Sequence, residues 1–335
     1  MRNKVLIIGG AGFIGVNLAD FYLKNGWQVS LVDNLSRLGS KKNLDWLLKK
    51  WGSGFKFQRI DLGQLEQLKN ELEKADVVFH LAAQVAVTSS LKNPALDFEV
   101  NLKGSFELLE MVRKLKRRPV LIYASTNKVY GDLKNIKINE KAKRYVFGVS
   151  FKGISEDQPL DFRSPYSCSK GGADAYFQDY GRLFGLKTVV FRQSCIYGPH
   201  QYGNEDQGWL SHFLKQAISG LPISIYGNGK QVRDVLWIED LIEAYDLAVR
   251  NITKVKGEVF NIGGGYKNSL SLLELTDILE KKLGKKIRLK FEKERVADQK
   301  IFISDNRKLE KRLGWQPETS YTQGIGRMLK WLKER

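Results

Sequence analysis

The feature that most constrains the fold is a glycine-rich turn that joins a short apolar run to a helical pattern near the N-terminus. The apolar run covers residues 5–8, the glycines are Gly9, Gly12 and Gly15, and the helical pattern covers residues 13–24. Glycine allows a tight turn and lets backbone N–H groups approach a pyrophosphate closely. Its place between a strand and a helix predicts the first βαβ unit of a dinucleotide-binding sheet.

The ends of the next predicted strands bear on which dinucleotide binds. Asp33 ends the second strand, where a carboxylate holds the adenosine ribose hydroxyls and repels a 2′-phosphate, which favours NAD over NADP. Arg37 lies close by and could instead accept that phosphate. The residues at the ends of the third and fourth strands could contact the cofactor, and ordinary strand-end packing explains them equally well. These residues are Asp61, Leu62, Leu81, Ala82, Ala83 and Gln84.

The rest of the first half repeats the alternation of apolar runs and amphipathic segments. Strands are predicted at residues 4–8, 28–32, 55–60, 77–81, 120–125 and 188–192, and helices at 13–24, 65–73 and 96–115. Gly26 and Gly185 stand where helices are expected to end. This rhythm is typical of a parallel sheet covered on both faces. We therefore predict the α/β class, with a Rossmann-type doubly wound parallel sheet.

After about residue 195 the alternation loosens and turn signals appear. Helices are predicted at residues 208–219, 238–249, 271–283 and 323–330, and short strands at 259–262 and 287–291. We predict that residues 1–195 form the dinucleotide-binding domain, with contributions from about 230–265. Residues 196–335 are then mainly a smaller C-terminal α/β substrate-binding lobe.

One segment, residues 132–164, is longer than an ordinary connection between two elements. Long connections inside compact domains are usually functional. We therefore expect it to cover the substrate pocket or to form a subunit contact.

A tyrosine and a lysine four residues apart provide the candidate chemistry. Tyr166 and Lys170 share one face of a helix, so the ammonium is expected to lower the pKa of the phenol. Ser125 and Thr126 end the fifth strand, at the sheet edge where ligands bind. The Tyr-x-x-x-Lys spacing alone is common and is often surface packing. In this order after the glycine turn, it predicts proton transfer coupled to a dinucleotide.

Composition excludes several other classes of protein. Two cysteines, Cys168 and Cys195, give no disulfide framework, and three widely spaced histidines give no metal-ligand pattern. No apolar run approaches the roughly 20 residues that cross a bilayer, so we expect a cytoplasmic protein without a membrane or metal partner. The net charge of +18 favours an anionic nucleotide substrate. No nucleic-acid-binding pattern accompanies it, so we expect no nucleic-acid partner.

Longer segments carry a resemblance to a known family. The segments are residues 33–37, 84–90, 125–132, 160–162, 164–166, 206–209 and 227–234. With the motifs above, they resemble the extended short-chain dehydrogenase/reductase family, whose members include nucleotide-sugar epimerases and dehydratases. The resemblance covers nearly the whole chain.

The resemblance implies one tightly held NAD, no metal, and a catalytic set of Thr126, Tyr166 and Lys170. The residues that it places on NAD are Gly9, Gly12, Phe13, Ile14, Gly15, Asp33, Asn34, Ser36, Arg37, Asp61, Leu62, Leu81, Ala82, Ala83, Gln84, Asn101, Tyr166 and Lys170. The residues that it places on the nucleotide sugar are Gln84, Ser125, Thr126, Asn127, Gln193, Ser194, Gln207, Arg233, Arg295 and Asp298. Of these, Arg233 and Arg295 are implied to bind the diphosphate.

The two residues after Thr126 separate neighbouring activities of the family. The 4,6-dehydratases place Asp-Glu there to expel water, whereas this chain has Asn127-Lys128, which favours epimerisation. The resemblance implies an NAD-dependent epimerase acting at C2 of a CDP-linked dideoxyhexose, in a homo-oligomer (dimer or tetramer). A UDP-hexose 4-epimerase and a non-catalytic NAD-binding scaffold are the alternatives. The intact Thr, Tyr and Lys set argues against the scaffold.

Overall fold

The computed structural model describes residues 3–148, 151–295 and 298–334 of the chain. Its strands are β1 (Lys4–Ile8), β2 (Gln28–Val32), β3 (Phe55–Gln58), β4 (Val77–His80), β5 (Val120–Thr126), β6 (Ile138–Glu140), β7 (Tyr145–Phe147), β8 (Lys187–Gln193), β9 (Cys195–Tyr197), β10 (Ile223–Tyr226), β11 (Val232–Trp237), β12 (Glu258–Ile262), β13 (Ser269–Ser271), β14 (Leu289–Glu292) and β15 (Ile301–Phe302).

Its α-helices are α1 (Phe13–Lys24), α2 (Ser40–Trp51), α3 (Lys69–Lys74), α4 (Val87–Lys92), α5 (Pro94–Asp97), α6 (Gly104–Lys114), α7 (Pro165–Leu183), α8 (Trp209–Ser219), α9 (Ile238–Arg250), α10 (Ile252–Val255), α11 (Leu272–Leu283), α12 (Arg307–Leu313) and α13 (Tyr321–Lys333). Within the described ranges, no helix combines the length and the apolar character that crossing a membrane demands.

Seven strands form one central sheet in the order β12-β8-β5-β4-β1-β2-β3, and every neighbouring pair is parallel. The chain starts at β1, runs outward to β3, and returns to β4 on the other side of β1. This reversal opens a crevice at the carboxyl ends of β1 and β4, where open α/β sheets bind ligands. The predicted doubly wound Rossmann-type sheet is confirmed.

Both faces of this sheet are buried. Along β1, Val5 and Ile7 pack into one hydrophobic cluster, while Leu6 and Ile8 pack into a second cluster on the opposite face. Side chains on a strand alternate between faces, so a strand covered on both sides is apolar throughout. This is why residues 5–8 of β1 are a continuous apolar run rather than an alternating one.

The C-terminal half builds a smaller sheet around β11. This strand pairs in parallel with β9 and β15 and antiparallel with β13, while β10 and β14 form a separate parallel pair. The predicted division after residue 195 falls at the first residue of β9 and stays a prediction. The chain crosses back once more, because β12 lies at one edge of the central sheet.

Two predicted helices differ in detail from the structure. The predicted helix at 65–73 begins as a 3-10 turn (Leu62–Leu68) and continues as α3. The predicted helix at 96–115 is interrupted by a π-helical turn (Phe98–Lys103) between α5 and α6. Asn101 in that turn is buried and bonds the backbone of Gln84, a long-range contact that periodicity does not reveal. Sequence analysis did not predict α2 or β11.

Candidate active site

A cavity of about 680 Å³ lies between the carboxyl edge of the central sheet and the C-terminal lobe. Its walls hold residues from the ends of β4, β5 and β8 and from the start of α7. The predicted site residues that it brings together are Phe13, Ile14, Leu81, Ala83, Ser125, Thr126, Asn127, Tyr166, Lys170, Gln193, Ser194, Gln207, Arg233, Arg295 and Asp298.

Helix α7 fixes the position of Tyr166 and Lys170. The helix begins at a capping box in which Ser164 accepts a bond from the N–H of Ser167, and Ser167 accepts one from the N–H of Ser164. Pro165 occupies the first helical position, where its missing N–H costs nothing. Tyr166 and Lys170 are then one turn apart and only 8 % and 3 % exposed.

Lys170 is held by the end of β5 rather than by the phenol of Tyr166. Its Nζ donates to the carbonyl of Ala124 at 2.6 Å and lies 4.1 Å from the ring centroid of Tyr123. Burial lowers the pKa of Lys170 to about 7, against the charges of Asp174 and Asp97, which raise it. A buried lysine of this kind is close to releasing its proton at neutral pH.

The predicted lowering of the Tyr166 pKa by Lys170 is wrong for this structure. Burial raises the pKa of Tyr166 to about 12, because the phenolate would lose its hydration. The groups that oppose this rise are a hydrogen bond with Thr126 and the charge of Arg37. Thr126 therefore contacts the phenol, as predicted. The cation that acts on the phenol is Arg37, whereas the helical spacing predicted Lys170.

Ser125 donates a hydrogen bond to a buried ion pair between Asp174 and Arg192, which sequence analysis missed. Its hydroxyl donates to Asp174 Oδ2 at 2.7 Å, and Arg192 Nε donates to the same oxygen at 2.9 Å. Arg192 also donates to the hydroxyl of Tyr130 at 2.9 Å. Asp174 and Arg192 are 0 % and 4 % exposed, so the pair fixes α7 against β5 and β8. The sequence signal for this pair was an arginine inside an otherwise apolar strand, since a buried arginine needs a partner.

The glycine turn fits a dinucleotide pyrophosphate. Gly9 has φ +86°, and a Cβ there would lie 2.6 Å from the backbone nitrogen of Ala82. A Cβ on Gly15 would lie 2.3 Å from the carbonyl oxygen of Gly9. Helix α1 starts at Gly12 with no side-chain cap and no acidic residue in its first turn. Its free N–H groups therefore suit an anion.

Asp33 is oriented beside this turn. Its Oδ2 accepts from the N–H of Ala11 at 3.1 Å and its Oδ1 from the N–H of Leu35 at 2.8 Å. Burial raises the pKa of Asp33, and these bonds and the charge of Arg37 oppose the rise. Arg37 acts on Tyr166 as well, so its charge is directed into the cleft between the two residues.

The adenosine end of the predicted cofactor site is a small polar network. Asn34 donates to Asp61 Oδ2 at 2.6 Å, and Ser36 donates to Asn34 Oδ1 at 2.7 Å. Asp61 also caps the following turn by accepting from the N–H of Gly63 at 3.1 Å. Leu62, by contrast, is buried in the hydrophobic cluster on one face of the sheet. Its side chain therefore packs in the core.

Asn101 and Gln84 support the strand end that follows β4. Asn101 accepts from the N–H of Gln84 and donates to its carbonyl, both at 2.9 Å. The side chain of Gln84 donates to Asp97 at 3.0 Å and to the carbonyl of Ala86 at 2.9 Å. The backbone of Ala82 is tied to Ile8 at 2.9 Å. Asn101 and Gln84 thus shape the loop beside the cofactor crevice.

The centre of the cavity holds two cations and one carboxylate. Asp298 Oδ1 accepts from Arg233 Nη2 at 2.7 Å and from Lys128 Nζ at 3.3 Å. Burial alone would raise the pKa of Asp298, but the two cations outweigh it and lower the pKa to about 2. Lys128 was not among the predicted site residues. Its position two residues after Thr126, at a strand end, was the signal for it.

The far end of the cavity places Arg295 over an aromatic ring. Its guanidinium lies 3.9 Å from the ring centroid of Tyr226 and 3.5 Å from Asp206 Oδ1. Two other predicted substrate residues bond within the protein: Gln193 donates to the hydroxyl of Tyr245, and Ser194 donates to the carbonyl of Asp234 at 3.1 Å.

The long segment at 132–164 packs on the C-terminal lobe instead of covering the cavity. Its hairpin, β6 and β7, is fixed where the N–H of Tyr145 donates to the carbonyl of Lys230 at 3.0 Å. Tyr145 and Ile154 are buried with Phe302. Its described residues contribute nothing to the cavity wall, and residues 149 and 150 lie outside the described ranges. The subunit contact stays a prediction.

The cysteines and the acidic groups provide no further site. Cys168 and Cys195 are both unpaired. Burial raises the pKa of Cys195, whose sulfur accepts from Trp209 Nε1 at 3.3 Å. Among the residues that the structure describes, no group of three or more His, Cys, Asp or Glu side chains is placed to hold a metal ion.

Comparison with known proteins agrees with this geometry. A family model described as GDP-mannose 4,6 dehydratase matches residues 6–328. The CDP-paratose 2-epimerase of Salmonella typhi is 45% identical, over 98% of both chains. The UDP-glucuronate 4-epimerase of Thermodesulfobacterium geofontis is 33% identical, over 98% of this chain and 96% of its own.

A solved structure shares the whole fold. The UDP-glucuronic acid 4-epimerase from Bacillus cereus, in complex with UDP-glucuronic acid and NAD, superposes with a TM-score of 0.84 at 29% identity, over 99% of both chains. The chain therefore belongs to the extended short-chain dehydrogenase/reductase family of nucleotide-sugar epimerases and dehydratases.

Proposed function

We propose that this protein is an NAD-dependent nucleotide-sugar epimerase that interconverts CDP-paratose and CDP-tyvelose through a 2-keto sugar. The observation that carries the proposal is the 45% identity to the CDP-paratose 2-epimerase of Salmonella typhi over 98% of both chains. Thr126, Tyr166 and Lys170 meet in one cavity with two arginines, which supports the assignment of an enzyme rather than a scaffold.

NAD fits the residues at the carboxyl edge of the sheet. Gly9, Gly12 and Gly15 leave room for its pyrophosphate, and Asp33 would accept from its adenosine ribose. When bound, NAD supplies the capacity to accept a hydride and return it. The structures of relatives that support this choice include the Bacillus cereus epimerase and the Thermus thermophilus UDP-glucose 4-epimerase, both solved with NAD.

The side chains of this protein handle the proton and the sugar. Tyr166 takes the proton of the reacting hydroxyl at its phenol oxygen and later returns it. Thr126, which bonds that phenol, holds the sugar oxygen in line. Because burial raises the pKa of Tyr166 to about 12, formation of the phenolate depends on neighbouring cations. Arg37 provides one such charge, and Lys170 is proposed to hold the nicotinamide ribose.

Dehydration is disfavoured by the state of the central carboxylate. Expelling water needs an acid that still carries a proton at neutral pH. Asp298 has a pKa lowered to about 2 and is bound by Arg233 and Lys128, so it has no proton to give. Asn127 and Lys128 provide no carboxylic acid at this strand end.

The test is conversion of purified protein with CDP-paratose, CDP-tyvelose, UDP-glucose and UDP-glucuronate, each in deuterated water. We expect only the CDP sugars to interconvert, with no solvent deuterium at C2, because a returned hydride keeps the original hydrogen. Deuterium at C2 would indicate a carbanion route. Conversion of only the UDP sugars would favour a 4-epimerase, as the 33% identity to the UDP-glucuronate 4-epimerase allows.

We also propose a homodimer that buries an apolar face of α6 and α7. Phe106, Tyr176 and Leu183 are 38 %, 43 % and 73 % exposed, and the rings of Phe106 and Tyr176 are 5.3 Å apart. Exposed apolar patches of this kind often mark protein contacts. Phe106→Glu should shift the protein to monomer in sedimentation equilibrium, whereas Leu48→Glu, at an exposed leucine of α2, should leave the dimer intact.

A further inference from the structure

The residues that line the cavity indicate where each part of a nucleotide sugar would bind, and this arrangement locates the base. Tyr166 marks the sugar end, and Arg233 with Lys128 marks the centre, where a diphosphate would be bound. At the Arg295 end, the walls include Tyr226 of β10, whose ring lies against Arg295, together with Ser224 of β10 and Phe213 of α8. A flat base fits between such apolar and aromatic surfaces.

Of the carboxylates at this end, Glu205 is the one bonded to Tyr226 among the residues that the structure describes. Glu205 lines the cavity, and its Oε2 accepts from the hydroxyl of Tyr226 at 3.1 Å. Among the residues that the structure describes, its other oxygen, Oε1, has no hydrogen-bond partner. It therefore remains available to a ligand.

The turn that carries Glu205 is closed locally. Asn204 Oδ1 accepts from the N–H groups of Asp206 at 3.0 Å and Gln207 at 2.9 Å, and the N–H of Asn204 donates to the carbonyl of Gln207 at 2.9 Å. The turn is tied to α8 where Ser211 donates to the carbonyl of Gln201 at 2.7 Å. The turn around Glu205 is thus closed by the bonds of its neighbours, and the side chain of Glu205 is held by Tyr226.

Cytosine and uracil differ at the edge that such a carboxylate reads. Cytosine carries an amino group that donates hydrogen bonds, whereas uracil carries a carbonyl oxygen at the same position. An ionised carboxylate can only accept, so it binds the amino group and repels the carbonyl. We propose that Glu205 is the residue that selects a cytosine nucleotide over a uracil nucleotide. This inference rests on the proposed function and names the base contact within it.

The test is the affinity of the NAD-loaded protein for CDP and for UDP, measured by calorimetry without any sugar or turnover. The wild type should bind CDP at least about tenfold tighter than UDP, because a site built around one hydrogen-bond pattern rejects the opposite one. Glu205→Gln should bring the ratio close to one, since an amide can donate to the uracil oxygen. Glu294→Gln, which removes another exposed cavity carboxylate without a bond to Tyr226, should keep the wild-type ratio.

The outcomes separate this inference from the proposed reaction. An unchanged CDP to UDP ratio in Glu205→Gln would overturn the inference, as would a wild type that binds both equally. A CDP preference that depends on Glu205 would sustain it even if CDP-paratose were not converted. That result would overturn the proposed reaction alone. Unchanged thermal unfolding of Glu205→Gln confirms that the exposed substitution leaves the fold intact.

Discussion

Tyr166 and Lys170 share one face of α7, yet burial moves their pKa values apart, to about 12 and about 7. Burial disfavours the charged form of each group, which raises a phenol and lowers an amine. The spacing of the two residues placed them together correctly. Beyond burial, groups distant in sequence act on their pKa values: Asp97 on Lys170, and Thr126 and Arg37 on Tyr166.

Tyr166→Phe should lower turnover by about 10²–10⁴-fold, the usual contribution of a general acid–base group. NAD should remain bound, because the phenol oxygen is the only atom removed. Tyr266→Phe, at an exposed tyrosine of the C-terminal lobe, is the matched control and should keep full activity. Turnover of Tyr166→Phe within a few-fold of the wild type would assign the base elsewhere.

The ion pairs of Asp298 predict a pH dependence of stability. Its folded pKa of about 2 lies below the ordinary value of 3.8, so its contribution is complete above pH 4 and is lost as the pH falls through about 2. The full contribution is at most about 2 kcal/mol, since one pKa unit corresponds to about 1.4 kcal/mol and part of the side chain is hydrated.

Urea unfolding of the wild type and of Asp298→Asn checks this expectation. The wild type should be more stable at pH 7, and the difference should shrink at pH 2.5. A difference that is constant over this range would show that the carboxylate does not titrate with a lowered pKa.

At the scale of elements, α7 is held against the sheet by a charge pair rather than by apolar contact alone. Asp174 of α7 binds Arg192 of β8 through two bonds, of 2.9 and 3.1 Å, and also binds Ser125 of β5. The helix that carries Tyr166 and the strand that carries Thr126 therefore share one buried anchor. The contact positions the catalytic set without touching the substrate.

Asp174→Asn should destabilise the protein by about 3–5 kcal/mol, because it leaves the Arg192 charge buried without an anionic partner. Adding Arg192→Met should recover part of this loss, which chemical unfolding of both variants would measure. Asp179→Asn removes an exposed pair with Arg182 on the same helix, where the side chains are 58% and 62% exposed, and should cost almost nothing. Equal losses at the two positions would contradict a buried anchor.

At the scale of the whole molecule, the cavity lies between the central sheet and the lobe. Two long connections, residues 201–208 and 132–164, differ in whether they contribute to its wall. Residues 201–208 contribute to its wall and hold Asp206 against Arg295. The hairpin of the segment at 132–164 packs on the lobe, and the described residues of the segment do not line the cavity. A ligand diphosphate would compete with Asp206 for Arg295, so ligand binding should alter the first connection alone.

Hydrogen exchange with and without CDP tests this difference. Residues 201–212 should become protected when CDP is bound, whereas residues 138–147 should exchange at the same rate in both states. Protection of 138–147 at fixed protein concentration would indicate that the segment does cover the ligand. Protection that depends only on protein concentration would support the predicted subunit contact.

The sequence by itself determined the architecture and the reaction class. A glycine turn between Lys4–Ile8 and α1 is recognised from local sequence alone, because the glycine spacing lies directly between a strand pattern and a helix pattern. Apolar runs and helical periodicity are local signals, so the parallel sheet followed from them. The residues Thr126, Tyr166 and Lys170 were found for the same reason, since strand ends and helical faces place them.

Only the tertiary structure decided which charges meet. Lys128 and Arg233 are far apart in sequence but share Asp298, and Asp174 finds Arg192 only when α7 packs on β8. The π-helical turn at Phe98–Lys103 depends likewise on the buried bonds of Asn101. Burial and long-range pairing set pKa values and ion pairs, and neither is encoded in local periodicity. The sequence therefore located the predicted catalytic residues, while packing fixed their partners and shifted their pKa values.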